Sequence, residues 1–120
     1  MRIKKTILVV DDNKILSETI QRYFEEYGHT VSSCQNGFDA LKLLKERTFD
    51  LIFTDYNMPK MNGAALCRLL RQDYPLTLIV GFSSEYRKKD FLDAGADAFV
   101  LKDELFHDPD LLLAKIRPSS

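Results

Sequence analysis

Apolar residues along this chain follow two alternating patterns. Short runs rich in β-branched and aromatic residues alternate with longer stretches in which apolar residues recur every three or four positions. The short runs predict strands at residues 6–10, 30–34, 51–54, 76–80 and 98–101. The run at 7–10 is apolar throughout, which is typical of a parallel strand that is buried on both faces. The pattern therefore predicts five strands, each followed by a helix.

The longer stretches predict helices, and residues that commonly cap helices stand at their ends. We predict helices at about residues 15–27, 38–44, 63–72, 84–94 and 109–116. Gly28 and Gly95 stand where left-handed C-terminal caps belong. Asn62 is a suitable N-cap for the third helix, and the pair Asp108-Pro109 suits the start of the fifth.

Strands that alternate with helices of this length form right-handed βαβ units. We therefore predict an α/β fold, a three-layer (βα)5 flavodoxin-like, doubly wound parallel sheet with strand order 2-1-3-4-5. Its 120 residues have the size of one domain. In this strand order, ligands bind at the carboxyl ends of strands 1 and 3, so we look for chemistry there.

Three carboxylates are predicted to meet at that place. Asp11 and Asp12 follow strand 1, and Asp55 follows strand 3. Like charges in close proximity require protonation or a cation, and a set of oxygen ligands without Cys or His suits Mg²⁺, Mn²⁺ or Ca²⁺. We favour Mg²⁺, which takes one or two carboxylates and keeps its other positions for water or phosphate. The alternative for residues 11–13 is a simple helix N-cap, which leaves Asp55 unexplained.

Two further polar residues follow neighbouring strands. Ser83 lies at the end of strand 4 and Lys102 at the end of strand 5. Together with a cation they could hold a phosphoryl group, because lysine pairs with phosphate oxygens and a hydroxyl donates to them. Asp55 would then be the nucleophile. Taken singly, Lys102 is equally well a solvated loop lysine and Ser83 a turn residue.

Charge and composition narrow the class of protein. Seventeen basic and eighteen acidic residues leave a net charge of −1, so we expect no direct nucleic-acid binding. The charged N-terminus leads into too few apolar residues for a signal sequence or a membrane span, and we expect a cytoplasmic protein without membrane attachment. Cys34 and Cys67 are isolated and predict buried, reduced thiols.

At residues 5–117 the sequence resembles the receiver domains of bacterial two-component response regulators, especially single-domain chemotaxis-type regulators. The motifs that carry the resemblance are ILVVDDN (7–13), DLIFTDYNMPKMNG (50–63), LIVGFSS (78–84) and AGADAFVLK (94–102). The resemblance implies one receiver domain over residues 1–120, with its core at 5–117. It also implies that the chain is a signalling domain and not an enzyme. Such a domain catalyses only its own phosphorylation and autodephosphorylation.

The resemblance further assigns a role to each site residue. Asp55 is the phosphorylated residue, and Mg²⁺, or Mn²⁺ in its place, is bound by Asp12, Asp55 and the main-chain carbonyl of Asn57, with Asp11 acting through water. Ser83 and Lys102 contact the phosphoryl group. Phe99 is the switch aromatic that moves inward with Ser83; its alternative is an ordinary core residue.

The resemblance also implies partners and an output. A sensor histidine kinase or a histidine phosphotransfer protein donates the phosphoryl group, and the surface of helix 4, strand 5 and helix 5 contacts an unknown downstream target. Asn57 and Glu85 are expected to orient the hydrolytic water, so we expect rapid autodephosphorylation. The alternative for Glu85 is a first-turn helix residue.

The sequence departs from the family after Lys102. Most members have a proline there in a cis peptide, whereas this chain has Asp103 and then Glu104. Because a cis bond before a non-proline residue costs about 2.5–4 kcal/mol, we expect a trans bond or a strained one. The two acids could compete for the Lys102 ammonium group, and residues 103–107 are expected to form a loop or a single turn before a short fifth helix.

Three other functions fit parts of the sequence. A haloacid-dehalogenase-type phosphatase also forms an aspartyl phosphate, but it needs a second Asp where this chain has Asn57. A flavin-binding module has a phosphate loop rich in Ser, Thr and Gly, and here Asp11 and Asp12 would repel a phosphate without a metal. A receiver-like docking domain that is not regulated by phosphorylation is the third possibility, favoured only by the missing proline.

Overall fold

The computed structural model describes residues 4–106, which form one parallel sheet with helices on both faces. The strands are β1 (Thr6–Val10), β2 (Thr30–Cys34), β3 (Leu51–Asp55), β4 (Leu78–Ser83) and β5 (Ala98–Leu101). Their order in the sheet is β2-β1-β3-β4-β5, and all pairs are parallel. The predicted α/β fold and strand order are therefore confirmed, and the carboxyl ends of β1 and β3 lie side by side.

In the described part, four α-helices connect the strands and one 3₁₀ helix follows β5. They are α1 (Lys14–Glu26), α2 (Gly37–Glu46), α3 (Gly63–Asp73), α4 (Lys88–Asp93) and the 3₁₀ helix Lys102–Phe106. The predicted cap Asn62 accepts a hydrogen bond from the N–H of Ala65 at 2.8 Å. Gly28 and Gly95 have φ angles of 93° and 103°, the left-handed conformation expected of them. None of these helices is long and apolar enough to cross a membrane.

Alternate residues of each strand point to opposite faces of the sheet, and each face has its own apolar core. On one face, Ile7 and Val9 of β1 pack with α1 around the stacked rings of Phe24 and Phe53. On the other face, Leu8 and Val10 join residues of α2, α3 and α4. Because both faces of the sheet are covered, the strands β1, β3 and β4 are apolar along most of their length, whereas the edge strand β2 is mostly Ser and Thr.

Strand β4 begins and ends later than predicted. The predicted bounds were 76–80, whereas β4 is Leu78–Ser83. Leu76 is 94% exposed and belongs to the turn after α3, where the guanidinium of Arg71 donates to the carbonyl oxygens of Pro75 and Thr77 at 3.1 and 2.8 Å. Leu76 is therefore an apolar turn residue that does not belong to the sheet.

Helix α4 is much shorter than predicted. The expected span was 84–94, but the helix contains six residues, Lys88–Asp93. The hydroxyl oxygen of Ser83 accepts a hydrogen bond from the N–H of Glu85 at 3.1 Å. Such a local side-chain turn competes with helix formation, so residues 84–87 form a loop before α4 begins.

Residues 102–106 form a single 3₁₀ turn, in agreement with the predicted loop or turn at 103–107 as far as the described residues extend. The described residues contain no cis peptide bond, so the bond between Lys102 and Asp103 is trans. The Glu104 carboxylate accepts a hydrogen bond from the N–H of Leu101 at 3.0 Å. The predicted fifth helix, with Asp108 and Pro109 at its start, lies outside the described residues.

Candidate functional site

The three predicted acids meet at the carboxyl ends of β1 and β3. Asp55 is the last residue of β3, and Asp11 directly follows β1. A carboxylate oxygen of each of Asp11, Asp12 and Asp55 lies within 4.8 Å of the others. Asp11 and Asp55 are buried, with 0% and 3% exposure, whereas Asp12 is exposed. The cluster therefore has a buried floor and one acid at its open side.

The buried site disfavours the charged forms of Asp11 and Asp55. Burial, aided by the Asp55 charge, raises the pKa of Asp11 to about 6, although the Asn13 N–H and the Lys102 ammonium oppose the rise. Burial likewise raises the pKa of Asp55, although the nearby Lys102 ammonium opposes this. Among the described residues, Asp11 Oδ2 and Asp55 Oδ1 are buried without a hydrogen-bond partner. Two such oxygens beside a third carboxylate are the donor set that a hard divalent cation fits.

Lys102 reaches this cluster despite the trans bond that follows it. Its Nζ lies 3.5 Å from Asp55 Oδ2 and 3.7 Å from Asp11 Oδ2, and 5.6 Å from the centre of the Phe82 ring. The predicted competition from Glu104 is not seen among the described residues, because its carboxylate accepts the N–H of Leu101 instead. One ammonium group therefore faces two buried carboxylates.

Ser83 lies at the same edge of the sheet and is fully buried. Residue Phe82 of β4 pairs with Asp55 of β3, so Ser83 stands one position beyond the phosphoacceptor candidate. Its oxygen accepts the N–H of Glu85. This bond uses a lone pair and leaves the hydroxyl proton available for donation toward the cluster.

Asn57 and Glu85 stand on the two loops that border the cluster. Asn57 is exposed in the β3–α3 loop. Glu85 is exposed in the β4–α4 loop, and its carboxylate lies 3.3 Å from an Arg87 guanidinium nitrogen. The prediction that Glu85 is a first-turn helix residue is wrong, because α4 begins three residues later.

Phe99 of β5 is half-buried and belongs to a chain of aromatic rings. It stacks on Phe91 of α4 with the ring centres 5.9 Å apart, and it meets Tyr86 edge-on at 5.7 Å. Phe91 in turn meets Tyr56, the residue after Asp55, at 5.8 Å. This placement fits both earlier interpretations of Phe99, as a mobile aromatic and as a core residue.

Close packing against the main chain explains why the M-N-G motif ends in glycine at Gly63. A Cβ at Gly63 would overlap the main-chain oxygen of Asp55, and the Gly63 N–H donates to the Tyr56 carbonyl at 2.9 Å. The start of α3 is thereby fixed against the residues that end β3. Only glycine allows this close approach.

Sequence reasoning missed Arg87 and Tyr56. The Arg87 guanidinium carbon lies 4.4 Å from the centre of the Tyr56 ring, and ion pairs join this guanidinium to Glu85 and Asp90. The only signal in the sequence is that an arginine stands two residues after one acid and three before another. Such spacings of charged residues are too common on protein surfaces to identify Arg87 from the sequence.

A cleft of about 740 Å³ opens beside the exposed acid of the cluster. It is lined by Asp12, Gln35, Asn36, Phe38, Asp39, Pro59 and Lys60. The cluster is therefore accessible from solvent on its Asp12 side, whereas the Asp11 and Asp55 side chains are buried.

Comparisons with known proteins agree with this geometry. The family model of the response regulator receiver domain matches residues 7–117. The gliding motility regulatory protein of Myxococcus xanthus is 36% identical over 82% of this chain and 13% of its own length, and the response regulator MprA of Mycobacterium sp. (strain KMS) is 33% identical over 92% and 48%. The chain thus spans less than half the length of these two relatives.

Solved structures give the same result. The Thermotoga maritima response regulator TrrA, determined in complex with Mg²⁺-BeF, superposes with a TM-score of 0.85 at 26% identity, covering 94% of this chain and 99% of that one. The match to the family model extends over nearly the whole chain, and the fold and the acidic cluster are the ones that the motifs predict. This chain therefore belongs to the receiver-domain family of two-component response regulators.

Proposed function

We propose that this receiver domain is phosphorylated on Asp55 in a Mg²⁺-dependent reaction and that phosphorylation changes its surface. The observation that carries the proposal is the buried Asp55 carboxylate, which has an unpartnered oxygen, lies 3.5 Å from Lys102 and shares a cluster with two further acids. A lone structural carboxylate needs none of these neighbours. A phosphoacceptor needs all of them.

The residues of the chain divide the work of phosphoryl transfer. An Asp55 carboxylate oxygen attacks the phosphorus atom, a new P–O bond forms, and the bond from phosphorus to the donor breaks with its electron pair leaving on the donor. Asp12, Asp55 and the Asn57 main-chain carbonyl would hold Mg²⁺, or Mn²⁺, with Asp11 behind a water. The cation supplies positive charge that reduces repulsion between the donor and the carboxylates.

Lys102 and Ser83 recognise the group once it is transferred. The Lys102 ammonium leaves the Asp55 carboxylate and pairs with the phosphoryl oxygens. The Ser83 hydroxyl donates a hydrogen bond to one of these oxygens. Movement of Ser83 toward the phosphoryl group leaves space that the Phe99 ring can fill. Because these contacts exist only in the phosphorylated form, they shift the population toward it.

The context of the domain follows from this assignment. The phosphoryl donor is a sensor histidine kinase or a histidine phosphotransfer protein in the cytoplasm, and the chain acts as one receiver domain with its core at 5–117. The surface read by the downstream partner includes α4 and β5. Hydrolysis of the acyl phosphate, aided by Asn57 and Glu85, returns the domain to its resting state without any separate enzyme activity.

Intact-mass analysis after incubation with Mg²⁺ and acetyl phosphate tests the proposal. The wild-type chain should gain the mass of one phosphoryl group, and Asp55→Asn should gain none, because the amide is a far poorer nucleophile of the same shape. Asp93→Asn, which removes an exposed carboxylate on α4, is the matched control and should be phosphorylated like the wild type. An adduct that survives Asp55→Asn would contradict the proposal.

A further inference from the structure

Arg87 binds three partners around the β4–α4 loop. Its guanidinium lies on the Tyr56 ring at 4.4 Å, and its two terminal nitrogens lie 3.3 Å from Glu85 Oε2 and 3.6 Å from Asp90 Oδ2. A guanidinium stacks on an aromatic face and pairs with carboxylates at its edge, so one side chain can do both at once. Glu85 is therefore joined to Tyr56 through Arg87.

Tyr56 is a rigid support for this arrangement. Its N–H donates to the Phe82 carbonyl at 3.0 Å, its carbonyl accepts the Gly63 N–H at 2.9 Å, and its ring meets Phe91 edge-on. Both backbone groups and the ring are thus held by the sheet, α3 and α4. A side chain anchored on Tyr56 has little freedom to follow movements at the cluster.

Tyr56 supports Arg87 on the side of the sheet that carries α3 and α4. It directly follows Asp55, the last residue of β3. The Tyr56 ring packs against the core cluster that contains Phe91. Arg87 lies over that ring and holds the Glu85 carboxylate at 3.3 Å.

We propose that Arg87 is a positioning residue that holds the Glu85 carboxylate in an ion pair, makes it less available to the hydrolytic water and thereby prolongs the phosphorylated state. The proposal rests on the phosphorylation of Asp55 proposed above. It assigns to this chain a slower hydrolysis than its Asn57 and Glu85 side chains alone would give. In the unphosphorylated domain the Ser83–Glu85 hydrogen bond holds the backbone of the loop, whereas the Glu85–Arg87 ion pair joins side chains only and can open independently of that bond.

The step that Arg87 restrains is the hydrolysis of the acyl phosphate. A water oxygen attacks phosphorus, the P–O bond to the Asp55 carboxylate breaks, and the products are the free carboxylate and inorganic phosphate, with the water proton passing to a base or to solvent. A carboxylate within reach of that water orients it and accepts its proton. While Glu85 is paired with Arg87, its carboxylate is less available for this step.

The test measures the rate constant for loss of the acyl phosphate after excess acetyl phosphate is removed, with Mg²⁺ present. Arg87→Met keeps the length of the side chain but removes its charge, and it should raise the rate constant about three-fold, as expected for an exposed ion pair combined with a cation–π contact. Arg87→Lys keeps the charge without the planar group and should give an intermediate rate. Lys89→Met removes an equal charge two residues further along, in the first turn of α4, and should leave the rate unchanged.

A double-mutant cycle separates positioning from a merely structural effect. In a Glu85→Gln background, Arg87→Met should no longer accelerate hydrolysis, because the carboxylate that it releases is gone. An equal acceleration in both backgrounds, no acceleration, or a slower rate would each overturn the inference. Urea unfolding of each variant shows whether it is folded. Absence of a phosphoryl adduct on the wild type would refute the proposed phosphorylation of Asp55, and this inference with it.

Discussion

Asp11→Asn is expected to make the metal-free protein more stable at pH 7.5, by about 1–3 kcal/mol. The buried Asp11 carboxyl has its pKa raised from 3.8 to about 6, so the folded state binds a proton more tightly than the unfolded state does. The free energy of unfolding therefore falls as pH rises from about 4 to 6 and stays low above that range. An amide at this position has no charge to desolvate, and its oxygen can still accept the Asn13 N–H.

Urea unfolding at pH 4 and pH 7.5, with and without Mg²⁺, measures this effect. The stability difference between variant and wild type should be largest at pH 7.5 without Mg²⁺ and should shrink at pH 4. Mg²⁺ should stabilise the wild type more than the variant, because a cation that binds only the folded state adds its binding free energy. The exposed Asp12 gives the control: Asp12→Asn should alter metal-free stability by less than about 0.5 kcal/mol. A destabilised Asp11→Asn at pH 7.5 would show that burial does not dominate at this site.

Gly81→Ala is expected to destabilise the fold by about 3 kcal/mol or more. A Cβ at Gly81 would overlap three atoms of the Phe91 ring. That ring is fully buried and is confined on its other sides by Gly63, Tyr56 and Phe99, so it cannot move aside at low cost. A single methyl group in the middle of β4 therefore disturbs the packing of α4 on the sheet.

A compensating change tests this explanation. Phe91→Leu in the Gly81→Ala background should recover part of the lost stability, as measured by urea unfolding, although Phe91→Leu alone removes apolar contacts and destabilises. Gly28→Ala serves as the control for backbone strain without overlap. Its φ is 93° and its nearest new contact is 3.9 Å away, so it should cost only about 1–2 kcal/mol. Strictly additive effects of the Gly81 and Phe91 changes would rule out the overlap as the cause.

The sheet and the acidic cluster were predictable because each depends on a short, local signal. Short runs rich in β-branched and apolar residues give strands, and alternation with helices gives a parallel sheet of right-handed βαβ units, for which 2-1-3-4-5 is a common order. Once the order is known, residues that follow β1 and β3 must be neighbours, and Asp11 and Asp55 need no further information to be placed together.

The β4–α4 region was predicted less well because its structure depends on one local side-chain hydrogen bond and on one contact distant in sequence. An apolar pattern over residues 84–94 favours a helix, yet the Ser83 hydroxyl captures the Glu85 N–H and delays the start of α4. The stacking of Arg87 on Tyr56 joins residues 31 positions apart, and no periodicity reports it. The trans bond after Lys102 was one of two open possibilities, and the 3₁₀ turn that follows is compatible with its ammonium group reaching Asp55.

Six residues make α4 less than two turns long, and a helix of that length has almost no stability of its own in water. It persists because Phe91 docks in the space left by Gly81. Local unfolding of α4 should therefore require much less free energy than global unfolding, and its amides should exchange with solvent deuterium before those of α1 or α3. A signal of a few kcal/mol is then sufficient to remake this surface while the sheet beneath it remains intact.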